Sequence, residues 1–397
     1  MKLPGADVVL VRHGDIGVKS SQVQSWMEDG LANNVEAMLA ARSVEGTVRT
    51  RRGRLFVQSP TPDAAARATA DVFGVVSASP ARTVPAELDA VADALAEIAR
   101  ATYDGGTFAV DARRAGDHEF TSQDVGEVGG RAIWEAVEDR FEPAVDAEAP
   151  DHRFSVEVRE EEAYVFREQL EGPGGLPVGT QAPLVALVSG GIDSPVAAWL
   201  AMKRGSPIVP VYFDLGMFGG IDHRARAIDT IRTVAGYAPG QDWAVRVVPI
   251  GDALQELQQK TDGTRMLSVR RLMLRIGEAI ARETDAAGIV TGEAIGQKSS
   301  QTARNLQATD RVTDWPIHRP LLTADKQEII ERARAIGTYG TSTIDAGCNK
   351  LAPEHPETAA PIERVEAAEP PLEPMVEQAV AETELLSIDP CTDPNGE

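Results

Sequence analysis

The stretch that decides the fold is LVSGGIDS, residues 187–194. An apolar run of strand length precedes it at residues 183–188, and residues 195–203 after it carry apolar side chains at helical spacing. The pattern predicts a strand, a tight glycine turn and a helix that begins near Ser194. Glycine lets such a turn bring backbone N–H groups close to an anion, and the helix N-terminus adds unpaired N–H groups and the positive end of its dipole. The stretch therefore predicts a phosphate-binding loop.

This loop has neither the lysine nor the Gly-x-x-x-x-Gly-Lys-[Ser/Thr] spacing of a Walker A motif. Its Ser-Gly-Gly-x-Asp-Ser order resembles the PP-loop of ATP pyrophosphatases, which cleave ATP between the α and β phosphates. The alternative is a strand-to-helix turn whose glycines serve geometry alone. Ser189, Asp193 and Ser194 stand in register directly after an apolar strand, and this favours the phosphate loop.

The composition limits the kinds of protein that the chain could be. Its 397 residues predict two or three domains. The 39 Lys+Arg against 61 Asp+Glu give a formal net charge of −22, and arginine greatly outnumbers lysine. Such a charge argues against nucleic acid as a partner, but it is also typical of a high-salt cytoplasm, where salt screens self-repulsion. We interpret the charge first as an adaptation to a high-salt (halophilic) habitat.

The two cysteines, Cys348 and Cys391, are too few for a disulfide scaffold or for a four-cysteine metal site within one chain. The apolar run near the N-terminus is too short for a signal peptide, and no apolar run approaches membrane length. We therefore expect a cytoplasmic protein with no membrane partner.

Two small domains are predicted before residue 168. Residues 8–78 show the β-α-β-β-α-β order of a ferredoxin-like domain, and we assign residues 1–61 to it and residues 62–167 to a second domain. In the second, FAVDARR at 108–114, FTS at 120–122 and VEVR at 156–159 resemble a THUMP domain, a module of RNA-modifying enzymes. Ordinary surface arginines and a solvated hairpin tip are the alternative. The candidate RNA-binding residues are Arg51, Arg52, Arg113, Arg114 and Arg131.

After a glycine- and proline-rich linker at residues 172–179, strands and helices alternate, which predicts a doubly wound parallel sheet. Ligands bind such sheets at the carboxyl ends of the strands. Three polar clusters accompany the phosphate loop there, at residues 268–271, 291–302 and 319–326, and together they predict the walls of one nucleotide and substrate site. We assign residues 168–355 to this domain. Residues 353–397 are rich in Glu, Ala and Pro and predict a short amphipathic segment and a disordered acidic tail, and we assign residues 356–397 to the tail.

In this order the motifs resemble the tRNA 4-thiouridine synthase family, also called tRNA sulfurtransferases, over about residues 1–358. The quoted motifs are GGLPVG at 174–179, SGGIDSPVA at 189–197, RRLMLR at 270–275, TGEAIGQ at 291–297, RPLL at 319–322 and IGTY at 336–339. The resemblance implies an α/β and α+β multidomain fold with ferredoxin-like, THUMP and PP-loop ATP pyrophosphatase domains. It implies an enzyme that uses ATP and Mg²⁺ to adenylate a tRNA uridine, expected at the eighth position. Sulfur from a cysteine persulfide then replaces the C4 oxygen to give 4-thiouridine. Sulfur transfer toward thiamine thiazole is a second expected role.

The resemblance and the loop pattern together assign site residues. ATP contacts are expected from Leu187, Val188, Ser189, Gly190, Gly191, Asp193, Ser194, Tyr212, Phe213, Arg271, Gly292 and Gln301. Asp193 is expected to support Mg²⁺ and pyrophosphate handling, Lys326 to stabilise charge during transfer, and Cys348 to carry the sulfur. A small buried hydrophobic residue is the alternative interpretation of Cys348.

Two departures from the family pattern leave the sulfur chemistry open. The chain shows an acidic tail where many members have a rhodanese domain, and Asp345 replaces the first cysteine of a Cys-x-x-Cys pair. The sulfur donor could be a cysteine desulfurase persulfide, a sulfur-carrier protein or free sulfide. Carboxylates flank Cys391 and disfavour its thiolate, and we expect its tail to have no apolar docking pattern, so Cys348 should act without it.

Two other functions stay open at this point. One is a PP-loop enzyme that acts on a small molecule, and the other is a THUMP-type RNA-binding protein with a vestigial nucleotide site. The intact loop and Cys348 argue against the second, and the N-terminal domains argue against the first. The oligomeric state is also open, a homodimer included.

Overall fold

The computed structural model of the chain describes residues 2–17, 19–51, 54–219, 221–342 and 351–391. The chain divides into two compact units, Met1–Gly175 and Leu176–Glu397. Among the described residues, no helix has both the length and the apolar character that crossing a membrane requires. The predicted site residues Arg52 and Cys348 lie outside the described ranges.

The strands of the first unit form one continuous sheet in the order β2-β3-β1-β4-β8-β7-β5-β6, with β9 paired to β4. Its strands are β1 (Val8–His13), β2 (Thr47–Arg51), β3 (Arg54–Gln58), β4 (Val75–Pro85), β5 (Thr107–Arg114), β6 (Ala144–Val145), β7 (His152–Val158), β8 (Glu162–Phe166) and β9 (Leu170–Glu171). Its helices are α1 (Ser21–Ala41), α2 (Pro62–Ala70), α3 (Leu88–Thr102) and α4 (Ser122–Val137).

Strand β4 joins the two predicted N-terminal domains. Its first part pairs with β1 of the ferredoxin-like layer, and its last four residues pair with β8. The strand continues to Pro85, beyond residue 78 where the predicted ferredoxin-like order ends, because most of its side chains stay buried to Val84 and both layers cover it. Helix α2 packs against α1 and β1, so the boundary that the sequence placed after residue 61 falls inside the ferredoxin-like layer.

The second unit contains the predicted parallel sheet, in the order β14-β13-β10-β11-β12-β15. Its strands are β10 (Leu184–Leu187), β11 (Ile208–Asp214), β12 (Ala244–Pro249), β13 (Ile289–Val290), β14 (Ile317–His318) and β15 (Glu384–Ser387). Its helices are α5 (Asp193–Lys203), α6 (Ile221–Ala235), α7 (Gly251–Lys260), α8 (Arg265–Glu283), α9 (Ala303–Asp310), α10 (Lys326–Ala335), α11 (Tyr339–Ser342), α12 (Ile362–Ala368) and α13 (Glu373–Ala381). Strands β10 to β14 run parallel, and β15 runs antiparallel to β12.

The C-terminal segment is folded over its described residues, 351–391, and the prediction of disorder was wrong there. On and before α13, Leu372, Met375, Val376 and Ala379 follow helical spacing and are buried in the core of the second unit. Strand β15 then closes the sheet beside β12. The sequence predicted a short amphipathic segment in this region but not its docking, because four apolar residues are enough to cover one face of a short helix.

Candidate nucleotide site and arginine-rich surface

The predicted strand, turn and helix are present at the phosphate loop. Strand β10 ends at Leu187 and helix α5 begins at Asp193. The side chain of Ser194 is buried under the turn, where its Oγ accepts the N–H of Ser189 at 2.8 Å and lies 3.0 Å from the Ser189 Oγ. The N–H of Gly191 donates to the same Ser189 Oγ at 3.3 Å. The two serines therefore hold the turn against the first turn of the helix, which keeps the glycine N–H groups in a fixed concave array.

Asp193 and Lys326 meet beside this turn, as the sequence predicted for two residues of one site. The Nζ of Lys326 lies 2.7 Å from Oδ1 of Asp193, and the side chains of Lys326 and Asp193 are 48% and 29% exposed. Lys326 is the first residue of α10 because Asp325 and Glu328 form a capping box there. A cation and a carboxylate thus stand, accessible to solvent, at the N-termini of two helices.

Gly292 packs directly on the start of helix α5. A Cβ atom at this position would lie 2.6 Å from the backbone N of Ser194 and 2.7 Å from the carbonyl carbon of Asp193. No side chain fits there, because backbone atoms cannot move aside as a side-chain tip can. The end of strand β13 therefore lies in contact with the phosphate loop.

Tyr212 and Phe213 lie at the carboxyl end of β11, next to the end of β10. Val188 donates its N–H to the carbonyl of Val211 at 2.8 Å, which aligns the two strand ends. The side chains of Tyr212 and Phe213 are 5% and 7% exposed, and Phe213 belongs to the core. A ligand at this edge would therefore meet mainly their backbone.

Neighbouring arginines of helix α8 have different partners. Arg271, which the sequence assigned to ATP, is 4% exposed, and its Nε donates to both carboxylate oxygens of Glu369 at 3.0 and 3.1 Å. Arg270 instead donates to Ser300 Oγ at 3.1 Å and to the amide oxygen of Gln301 at 3.0 Å, with that amide oriented to satisfy its neighbours. Arg270 is thus the arginine on the loop that holds Gln301. Sequence reasoning missed it because both arginines occur in one motif and helical spacing alone does not say which faces the loop.

Cys348 lies in residues 343–350, outside the part of the chain that the structure describes, so its role stays a prediction. Cys391 is described, and its N–H donates to the carbonyl of Arg232 near the end of α6 at 3.0 Å. The tail cysteine is therefore held on the second unit rather than on a free chain.

The first unit has a polar cavity of about 530 Å³. Three arginines and three glutamates line it together with the Ala115–Gly116 turn: Arg51, Arg54, Arg159, Glu160, Glu161 and Glu162. Arg114 donates to the carbonyl of Gly116 at 2.8 Å, and Arg113 is exposed one residue earlier on β5. Arg131 is exposed on α4 and is not among the residues that line the cavity.

A buried carboxylate holds several of these arginines. Glu157 lies 2.6 Å from Nη1 of Arg54 and 3.3 Å from Nη2 of Arg12, and it accepts from Nε of Arg159 at 3.0 Å. Burial raises the pKa of Glu157, but Arg54, Arg159 and Arg12 outweigh it, so the pKa is lowered and the carboxylate stays charged. The sequence did not single out Arg12, Arg54 or Arg159. Of these three, only Arg54 could have been suggested by its sequence neighbours, because it lies two residues after the Arg51–Arg52 pair of the hairpin turn.

Comparisons with known proteins agree with this architecture. Residues 8–79 match the ThiI ferredoxin-like domain, residues 85–168 the THUMP domain and residues 179–373 the family described as thiamine biosynthesis protein (ThiI). A probable tRNA sulfurtransferase of Halobacterium salinarum is 61% identical over 367 residues, which cover 92% of this chain and 94% of the relative. The chain belongs to the tRNA sulfurtransferase family.

Other members of the family support the same assignment. A probable tRNA sulfurtransferase of Methanosarcina acetivorans is 40% identical and is matched over 96% of this chain and 94% of its own length. A crystal structure described as a 4-thiouridine synthetase–RNA complex with bound ATP superposes with a TM-score of 0.84 at 30% identity. That match covers 96% of this chain and all of the other, so the predicted fold class is confirmed across both units.

Proposed function

We propose that the chain is an ATP-dependent tRNA sulfurtransferase that converts a uridine of tRNA, expected at the eighth position, to 4-thiouridine. The observation that supports this most is the 2.7 Å pair of Lys326 and Asp193 at a serine-braced glycine turn. Such a turn is suited to pyrophosphate, and membership of the family supplies the reaction class. The exposed arginines of the first unit, Arg113, Arg114 and Arg131, offer partners for RNA phosphates.

The residues at the loop fit ATP with Mg²⁺. The glycine N–H groups and the start of α5 suit phosphate oxygens, and the partly exposed Asp193 offers a hard oxygen ligand. No cluster of three or more His, Cys, Asp or Glu side chains able to hold a metal occurs among the described residues. This agrees with Mg²⁺ sites that use one or two carboxylates together with substrate phosphates. When bound, Mg²⁺ neutralises phosphate charge.

The proposed reaction removes a poor leaving group by adenylation. The uracil O4 attacks the α-phosphorus of ATP, the α–β anhydride bond breaks, and pyrophosphate leaves beside Gly190 and Gly191. The terminal sulfur of a persulfide on Cys348 attacks C4, and the C4–O bond breaks as AMP leaves. A second thiol then cleaves the S–S bond, which frees 4-thiouridine and leaves the two thiols as a disulfide. Lys326 places positive charge at this centre, next to Asp193.

The sulfur source and a second product are also proposals. A desulfurase persulfide could transfer its outer sulfur to Cys348, whereas free sulfide or a thiocarboxylate on a sulfur-carrier protein is already fully reduced and would attack the adenylated C4 directly, without a persulfide on Cys348. The family description as a thiamine biosynthesis protein supports a second role in sulfur transfer toward thiazole. Loss of growth without added thiazole in a deletion strain would support that role, and normal growth would remove it.

Release of pyrophosphate from ATP in the presence of tRNA tests the proposed function. We expect Asp193→Ala to abolish release, because the Mg²⁺ that would neutralise the phosphate charge loses its carboxylate ligand, while the fold survives a change at a turn. Asp252→Ala is the matched control, since Asp252 also lies in the first turn of a helix at the carboxyl edge of this sheet. Normal release by Asp193→Ala would remove the loop from the mechanism.

A further inference from the structure

We propose that Glu293 is a positioning residue of the nucleotide site, whose buried carboxylate holds Arg270 and Arg319 and so fixes residues 291–301 against the phosphate loop. The inference rests on the proposed function, because it concerns the same site. It assigns a role to a residue that the loop motif contains but that the reaction does not use directly.

Both oxygens of the Glu293 carboxylate have close partners. Oε2 accepts from Thr291 Oγ1 at 3.0 Å and from Arg319 Nε at 2.8 Å, and Oε1 accepts from Arg270 Nη1. The residue is 5% exposed. A carboxylate at this depth is stable only when it is paired and hydrogen-bonded.

The pairing continues into a chain of four alternating charges. Arg319 also donates to Asp310, with Nη1 at 3.0 Å from Oδ2 and Nη2 bonded to Oδ1. The order is therefore Arg270, Glu293, Arg319 and Asp310, which come from α8, from the segments that follow β13 and β14, and from α9. Burial raises the pKa of Glu293, but Arg270 and Arg319 outweigh it, so the pKa is lowered and the carboxylate is charged at neutral pH.

Glu293 is connected to the phosphate loop on two sides. The residue before it, Gly292, is in backbone contact with the start of α5. On the other side, Arg270 binds Glu293, Ser300 and Gln301 at once, so it joins the two ends of the loop at residues 291–301. A shift of Glu293 would therefore move both Gly292 and Gln301, the two residues of this loop expected to contact ATP.

A glutamine at this position keeps the shape but not the charge. Its NH₂ group would face an arginine donor, so one of the two guanidinium groups would lose its acceptor. That arginine would have to move, and the loop with it.

Helix α8 offers a matched control in Glu278. Glu278 is 4% exposed, against 5% for Glu293. Its carboxylate also lies between two arginines, at 2.8 Å from Arg275 and 2.6 Å from Arg282. Arg275 continues to Glu373 of the C-terminal helix α13 rather than to the loop. Glu278→Gln therefore removes the same kind of carboxylate–arginine pairing from helix α8, the helix that also carries Arg270. It does so without touching the nucleotide site.

The experiment compares Glu293→Gln, Glu278→Gln and the wild type by thermal unfolding and by calorimetric titration with ATP and Mg²⁺. We expect both variants to unfold at lower temperature, and only Glu293→Gln to bind ATP about tenfold more weakly. ATP affinity within about twofold of wild type in Glu293→Gln, or an equal loss in Glu278→Gln, would overturn the proposal.

Asp310→Asn keeps the inference testable if Glu293→Gln does not fold. Asp310 is the outer end of the charge chain, and its side chain is 40% exposed. Loss of its charge leaves Glu293 paired with both arginines but constrains Arg319 less. We expect about threefold weaker ATP binding; wild-type affinity would contradict the chain of charges. Because the titration needs no turnover, it separates this inference from the proposed function, which fails if the wild type binds ATP but releases no pyrophosphate with tRNA.

Discussion

The sulfur chemistry depends on two cysteines, and we expect them to differ in function. Cys391 is anchored through its backbone to Arg232, so the expectation of an undocked tail was wrong. The expectation from the sequence that Cys391 takes no part in sulfur transfer stays a prediction. We therefore predict that Cys348→Ser abolishes tRNA thiolation while adenylation persists, and that Cys391→Ser keeps most activity. Measurement of 4-thiouridine in cells with each variant checks this. Loss of the nucleoside in Cys391→Ser would make the tail cysteine the second catalytic thiol.

At the scale of elements, the C-terminal helices depend on Arg271. Its guanidinium is held by Glu369 and Glu366 and donates to the carbonyl of Ala308 at 2.9 Å. Removing one partner of a buried pair typically costs about 3–5 kcal/mol. We predict that Arg271→Met lowers the free energy of unfolding by that order and speeds amide exchange in β15.

Arg270→Met is the control for that prediction, because Arg270 binds the nucleotide loop and not the C-terminal segment. It should weaken ATP binding and leave exchange in β15 unchanged. Slow exchange in β15 of Arg271→Met would show that the C-terminal segment docks without this arginine. A larger loss of ATP affinity in Arg271→Met than in Arg270→Met would support the sequence-based prediction that Arg271 contacts ATP.

A separate prediction concerns tRNA binding by the arginines on and beside the strands of the first unit. Arg113→Ala with Arg114→Ala, or Arg51→Ala with Arg52→Ala, should weaken tRNA binding. Each double variant should also reduce the salt slope of that binding by about one unit for each phosphate that the arginines no longer neutralise. ATP affinity should not change. If both double variants bind tRNA as the wild type does across a salt series, the arginines of this unit do not form the RNA platform.

A feature could be predicted from the sequence when the residues that determine it lie close together in the chain. The phosphate loop was readable because strand, turn and helix are contiguous. The start of α4 at Ser122 is also locally encoded, by the capping box of Thr121 and Asp124. The carboxylate partners of Arg270 and Arg271 include residues 23 and 98 positions away, so no local pattern distinguishes the two arginines. Likewise, β15 becomes a strand only because β12 offers an open edge.

For the whole molecule, the net charge of −22 and the proposed RNA partner are compatible because the arginines are concentrated locally. Arg113, Arg114 and Arg131 are exposed on the first unit, where Arg51, Arg54 and Arg159 also line one cavity together with Glu160, Glu161 and Glu162. The acidic surface elsewhere fits the predicted high-salt habitat.

Nucleoside analysis of tRNA from a strain that lacks the gene tests most directly whether this chain thiolates tRNA. We predict that 4-thiouridine disappears, that the wild-type gene restores it, and that the Asp193→Ala gene does not. An unchanged level of 4-thiouridine in the tRNA of the deletion strain would contradict the proposed function.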